Sequence, residues 1–286
     1  RDSGAFSRQR MTSVASASIA DTPVSTGSAG ADACRLSNRG DPIAQYDKQA
    51  KRWLLTQFAW IDDTGPFYQC VALSTTSDAT GSYYRYVLDV RGPGNVFALP
   101  DYPKVGVWPD AYYFTFALFQ GFGPYLGPQA CGFDRAAMLA GGSVLVRCAN
   151  LGTSFGPILP SDLDGNTAPP AGSPNYLMSL NYSGSTRTGN NLFLWRFSFT
   201  NSSISGAISI PVAPFTIACP STFGGACVSQ PAPGEALDSL GDRLMYRVAY
   251  RNFGNREALV LMKGEKRIEI IHGTDDEAVG AIVQKS

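Results

Sequence analysis

GDPIAQYDKQAKRWLLTQFA, residues 40–59, holds a turn, a short strand, a second turn and a longer strand in one compact stretch. Gly40-Asp41-Pro42 supplies turn chemistry, IAQY is a short β-prone run, and RWLLTQFA has the branched and aromatic content of a half-buried strand. YLMSL (176–180) followed by NLFLWRFSF (191–199) repeats the pairing. A Gly or Pro followed by Asp or Asn opens such runs at Gly40-Asp41, Pro109-Asp110, Pro174-Asn175 and Gly241-Asp242, a period of about 67 residues. Further strands are expected at Tyr68 to Ser74, Tyr83 to Val90 and Tyr112 to Phe119, and the one turn of helix at Asp134 to Ala140. A four-stranded sheet repeated at this period predicts an all-β fold, a β-propeller with blades of about 67 residues. A fourth blade opening at Asp242 would run past Ser286, so the expectation is an incomplete ring of three blades plus part of a fourth.

Around this core, residues 1–33 are rich in Ser, Ala, Thr and Gly and read as a flexible arm. Residues 34–262 carry the blades, and 263–286 form an atypical segment with nine charges between Lys263 and Lys285. Over the whole chain, 23 basic residues balance 23 acidic ones, so no net field draws nucleic acid. No apolar run is long enough for a membrane span.

The six cysteines fall as three sequence-local pairs, Cys34 with Cys70, Cys131 with Cys148, and Cys219 with Cys227. Six cysteines allow many connectivities, and local pairing is the expectation adopted. With His272 the single histidine, zinc is disfavoured, and structural disulfides imply an oxidising, extracellular setting.

Several segments resemble a family of mostly uncharacterised secreted bacterial β-propeller proteins. They are GDPIAQYDKQAKRWLLTQF (40–58), DYPKVGVWPDAYYFTF (101–116), ACGFDRAAMLAG (130–141), LPSDLDGNTAPPAGSPNY (159–176) and LDSLGDRLMYRVAYRNFG (237–254). The resemblance implies a propeller that continues through further blades after RNFG, whereas this chain departs near Lys263. More distantly, the blade openings are similar to those of five-bladed glycosidases of the arabinanase and invertase type, in which an Asp faces the central funnel.

Asp41, Asp110 and Asp242 share one repeat position and would meet at a funnel mouth, where paired carboxylates suit glycoside hydrolysis. The competing reading is that an Asp after Gly or Pro caps its own turn, and Asn175 at the fourth position favours it. Asp101, Lys104, Trp108 and Tyr112, together with Asn175, form a candidate ligand site: aromatic faces stack on sugar rings while charged groups bond to hydroxyls. Asp162, Asp164 and Asn166 place alternate oxygens before a turn, half of a calcium loop that lacks the distal Glu. No other cofactor is indicated. Arg243, Arg247 and Arg251 place cations along a strand that could clamp an acidic ligand through bidentate bonds, with buried inter-blade ion pairs as the favoured reading. These features predict an extracellular binding or surface-structural module for glycans, with a secreted glycosidase-like hydrolase as the alternative. The partners expected are a glycan, or a second chain that completes the ring by strand addition.

Overall fold

A computed structural model of the chain describes residues 7–18, 29–232, 234–263, 266–272 and 279–283, with side chains described for 29–232 and 234–262. Strands make up most of the regular structure, and the chain divides into two compact units. One comprises Gly4–Thr153 with Phe199–Ser202; the other comprises Ser154–Ser198 and Ser203–Ser286.

In the first unit, β1 (Ser7–Ser18) and α1 (Ala29–Leu36) precede β2 (Ile43–Asp47), β3 (Arg52–Ala59), β4 (Tyr68–Ser74) and β5 (Ser82–Asp89). Then come β6 (Leu99–Val107), β7 (Ala111–Phe119), β8 (Tyr125–Asp134), α2 (Arg135–Leu139) and β9 (Val144–Asn150). β2 to β5 form one antiparallel meander and β6 to β9 another. β1 pairs with the last strand of each, through Thr12–Ser18 on β5 and Ser7–Met11 on β9.

The two meanders share one core, with Leu54, Leu73 and Leu88 from the first and Phe114, Phe116 and Phe133 from the second. AYYFTFALF, which is β7, is buried at every position but its last because neighbours cover both faces, as a continuous apolar run requires. Phe114 and Phe133 lie 4.4 Å apart by ring centroid in an offset, tilted pairing.

The helices have local causes. Asp134 caps α2 by accepting the Ala137 N–H at 3.0 Å, and two alanines and a methionine follow. α1 begins within the stretch expected as an arm, residues 1–33, and runs past its end; it is rich in alanine, and Cys34 on it bonds Cys70 of β4. Gly30 permits its close seating, since a Cβ there would stand 2.8 Å from both Tyr68 and Val87.

In the second unit, β10 (Leu159–Leu163), β11 (Asn175–Asn181), β12 (Thr188–Ser198), β13 (Ser203–Ile204) and β14 (Ile208–Thr216) are followed by the small hairpin of β15 (Ala226–Val228) and β16 (Leu237–Asp238). β17 (Met245–Asn252), β18 (Glu257–Lys263), β19 (Lys266–His272) and β20 (Val279–Val283) complete it. β12 pairs with β11 on one edge and with β13 and β14 on the other. β10 joins this group to the last four strands by running parallel to β17. The charged segment expected after residue 262 therefore supplies two strands, β19 paired with β18 and β20 paired with β19, although residues 264, 265, 273–278 and 284–286 lie outside the described residues.

The three cysteine pairs read from local spacing are the pairs the structure bonds: Cys34–Cys70, Cys131–Cys148 and Cys219–Cys227. Among the described residues, no helix is long and apolar enough to cross a membrane.

Candidate functional site

The 67-residue spacing counts from different strands. Asp41 precedes β2, the first strand of its meander, whereas Asp110 lies between the first and second strands of the next. The charges that act on Asp41 are instead those of Asp101, near the start of β6, and Lys104 on the same strand.

Three backbone features shape this cluster. Asp41 has φ +45° directly after Gly40 at +118°, and Tyr102 has φ +51°. Left-handed conformations are uncommon for Asp and a marked outlier for a bulky aromatic residue, and such strain gathers at functional sites. β6 also carries a bulge between Asp101 and Lys104, where one extra residue faces β7. The bulge and the left-handed tyrosine re-aim the strand so that the Lys104 Nζ sits 3.5 Å from the centre of the Tyr102 ring, while also donating to the Pro103 carbonyl at 2.9 Å.

Asp41 is open to solvent at its edge but loses water on its protein side, and this loss pushes its carboxyl above the ordinary carboxylate value. The like charge of Asp101 pushes in the same direction, and Lys104 and a backbone hydrogen bond pull back. The result is a partly exposed group of two carboxylates, one cation and a phenol ring, equipped to accept and donate hydrogen bonds to a polyhydroxylated ligand.

The other residues expected at a site lie elsewhere. Asp110 accepts from the Tyr113 hydroxyl at 3.2 Å and from Thr200 Oγ1 at 3.1 Å. Asp242 is held by its neighbour Arg243, through Nε at 2.7 Å and a terminal nitrogen at 2.8 Å. Trp108 and Tyr112 are core residues, 1% and 0% exposed. The Tyr112 hydroxyl donates to Asp47 at 2.7 Å, and burial beside that carboxylate drives its own ionisation far up. Asn175, fully buried, donates through Nδ2 to the Ser161 carbonyl at 2.7 Å and accepts the Ser161 N–H at 3.2 Å. An amide offers both functions where an ionised carboxylate only accepts, which accounts for Asn where the other openings carry Asp.

Asp162 and Asp164, expected on a calcium loop, both accept from Arg247, and Arg251 reaches Asp164 at 3.3 Å. The arginines thus supply positive charge where an ion would have supplied it. Asn166 follows in the same turn. Among the described residues, no group of three or more His, Cys, Asp or Glu side chains is gathered to hold a metal.

Sequence reasoning missed the aromatic residues at this end of the meanders. Phe58, Trp60, Phe67 and Leu99 form a small cluster against which Phe119 packs. A Cβ on Gly40, the residue before Asp41, would lie 3.8 Å from Phe58, and Leu99 stands two residues before Asp101, so the cluster abuts the backbone that carries both carboxylates. The signal was present in Gly121-Phe122-Gly123, an aromatic between two glycines, which the turn between β7 and β8 leaves 65% exposed.

No protein-family model matches the chain, and no curated protein matches it. Among solved structures, it is similar to the exo-β-1,3-galactanase of Phanerochaete chrysosporium with galactose, at 12% identity and a TM-score of 0.39. That match covers 85% of this chain and 48% of the other. A structure of the same enzyme with β-1,3-galactotriose gives 13% identity and 0.39, covering 86% and 48%. The chain spans about half the length of these structures.

Proposed function

We propose that the protein is an extracellular carbohydrate-binding module and that Asp41, Asp101, Tyr102 and Lys104 form its binding site. The observation that carries this reading is the bulge in β6 between Asp101 and Lys104, which sets a left-handed tyrosine against the lysine within electrostatic reach of Asp41. The three disulfides support an oxidising setting. The paired four-stranded meanders, packed through one core, support the reading of each as a propeller blade.

A glycoside hydrolase is the second reading, and one feature favours it: a carboxyl shifted towards its protonated form beside a second carboxylate, as general acid and base require. Binding ranks first because Asp41 remains open to water, whereas strongly raised acids sit in enclosed apolar pockets.

The test is retention on immobilised neutral gluco-, galacto-, manno- and xylo-oligosaccharides, with reducing-end release followed in the same incubations. Retention without release, lost in Asp101→Asn, is expected. Release that disappears in the same variant would favour the hydrolase, and absence of both would overturn the site.

A further inference from the structure

We infer that Phe122, braced from beneath by the buried Trp60, forms a sugar-stacking subsite beside the carboxylate cluster, so that the ligand is an oligosaccharide chain of at least two units rather than a single sugar. This rests on the carbohydrate reading above and extends it along the same surface. Phe122 is 65% exposed at the tip of the turn between β7 and β8, yet its ring is held at its base. It meets Trp60 edge-on at 5.7 Å and Phe67 at 6.3 Å. Trp60 is pinned in turn: its Nε1 donates to Asp63 at 2.9 Å, and Arg39 lies over its ring at 5.2 Å while donating to its carbonyl at 3.1 Å. An exposed ring fixed by rigid neighbours costs little order to bind against, which is the usual quality of a recognition anchor.

Contiguity joins this ring to the carboxylates. Phe58 lies 5.4 Å from Trp60 and against Gly40, the residue before Asp41. Phe119, three residues before Phe122, pairs with Leu99 on β6, two residues before Asp101. A chain with hydroxyls on Asp41, Asp101 and Lys104 would lay its next ring towards Phe122.

The size of the patch argues against a protein partner. Besides Phe122, the exposed large apolar side chains near this ring are Leu36, Ile61 and Phe97, and Arg91 already covers Phe97 at 3.9 Å from its ring centre. A stable protein interface needs about 800 Å² from each partner, far more than these side chains offer. The rim of Arg39, Asp62 and Asp63 is polar, as a surface that orients hydroxyls requires.

The experiment measures affinity for one, two, four and six units of whichever neutral series is retained, with wild type, Phe122→Ala and Phe122→Trp. Wild-type affinity should rise from the monomer to the tetramer. Phe122→Ala should weaken tetramer binding about tenfold, from the strength of an aromatic stacking contact, and leave the monomer unchanged. Phe122→Trp should keep the length dependence. Equal affinity for all lengths, or a tetramer indifferent to Phe122→Ala, would overturn the subsite while leaving the carboxylate site standing. A Phe122→Ala change confined to oligomeric state would assign the ring to a protein interface and overturn it equally. Failure of every series to bind would overturn both.

Discussion

The Arg135 guanidinium holds both oxygens of the Asp47 carboxylate, through Nε at 2.7 Å and a terminal nitrogen at 3.1 Å. Asp47 ends β2 and is fully buried, while Arg135 begins α2, so one bidentate pair ties the first meander to the second. The Tyr112 hydroxyl and the Ala50 N–H, at 2.7 and 2.9 Å, complete the carboxylate's partners. Replacing Arg135 by Ala leaves a buried charge without its main partner and should cost about 3–5 kcal/mol, read from urea unfolding at neutral pH. A loss below about 1 kcal/mol would mean that water replaces the arginine.

The same pair sets a pH dependence. Burial alone would raise the Asp47 carboxyl, but Arg135, the Ala50 N–H and Tyr112 together hold it below the ordinary carboxylate value. A depressed folded-state pKa contributes stability that is complete above the unfolded value of about 3.9 and is lost as pH falls through the lower folded value. Acid unfolding should therefore steepen below about pH 4 in wild type, and Asp47→Asn should flatten that part of the profile.

Tyr113 accepts the Phe199 N–H at 2.9 Å and donates to Asp110 from a fully buried ring. Tyr113→Phe would leave that backbone N–H without its acceptor, and about 1–3 kcal/mol of stability should be lost. Thermal unfolding of the variant checks this, and an unchanged midpoint would contradict it.

Cys131 and Cys148 face each other across β8 and β9, 17 residues apart in sequence and both buried. Replacing both by Ala should cost roughly 3 kcal/mol by loop-closure entropy. Reduction of wild type followed by unfolding should lose at least as much, since all three bonds then open.

Much of the secondary structure was legible from residues 40–59 outward. RWLLTQFA, YQCVALS and AYYFTFALF are strands because branched and aromatic residues lie between turn formers, and Asp134 capped the one helix expected. α1 was hidden because its Ala-Gly-Ser surroundings resemble a linker, and its seat against Tyr68 and Val87 is tertiary. The candidate site was half legible: Asp41, Asp101 and Lys104 stood out by chemistry, but a fixed period paired Asp41 with Asp110. The bulge that sets Tyr102 on its lysine depends on pairing with β7, which no local pattern announces. Trp60 and Arg39 brace the exposed Phe122 ring through contacts across loops and carry no local signature.

The coupling within the site is separately measurable. Because Asp101 raises the Asp41 carboxyl and Lys104 lowers it, Asp101→Asn should move the Asp41 titration down and Lys104→Met should move it up, followed by carboxyl carbon NMR. The raised Asp41 contributes stability below about pH 3.9 that is lost as pH rises through its folded value, the opposite sign to Asp47. An Asp41 titration indifferent to both substitutions would separate the carboxylates.

Calorimetric titration of the best-retained neutral tetrasaccharide into wild type and Asp101→Asn tests the carbohydrate site most directly. Losing the charged hydrogen-bond acceptor should weaken binding by about tenfold or more with the fold intact by circular dichroism. Equal affinity of the two proteins would contradict the assignment of the Asp41 and Asp101 cluster as the binding site.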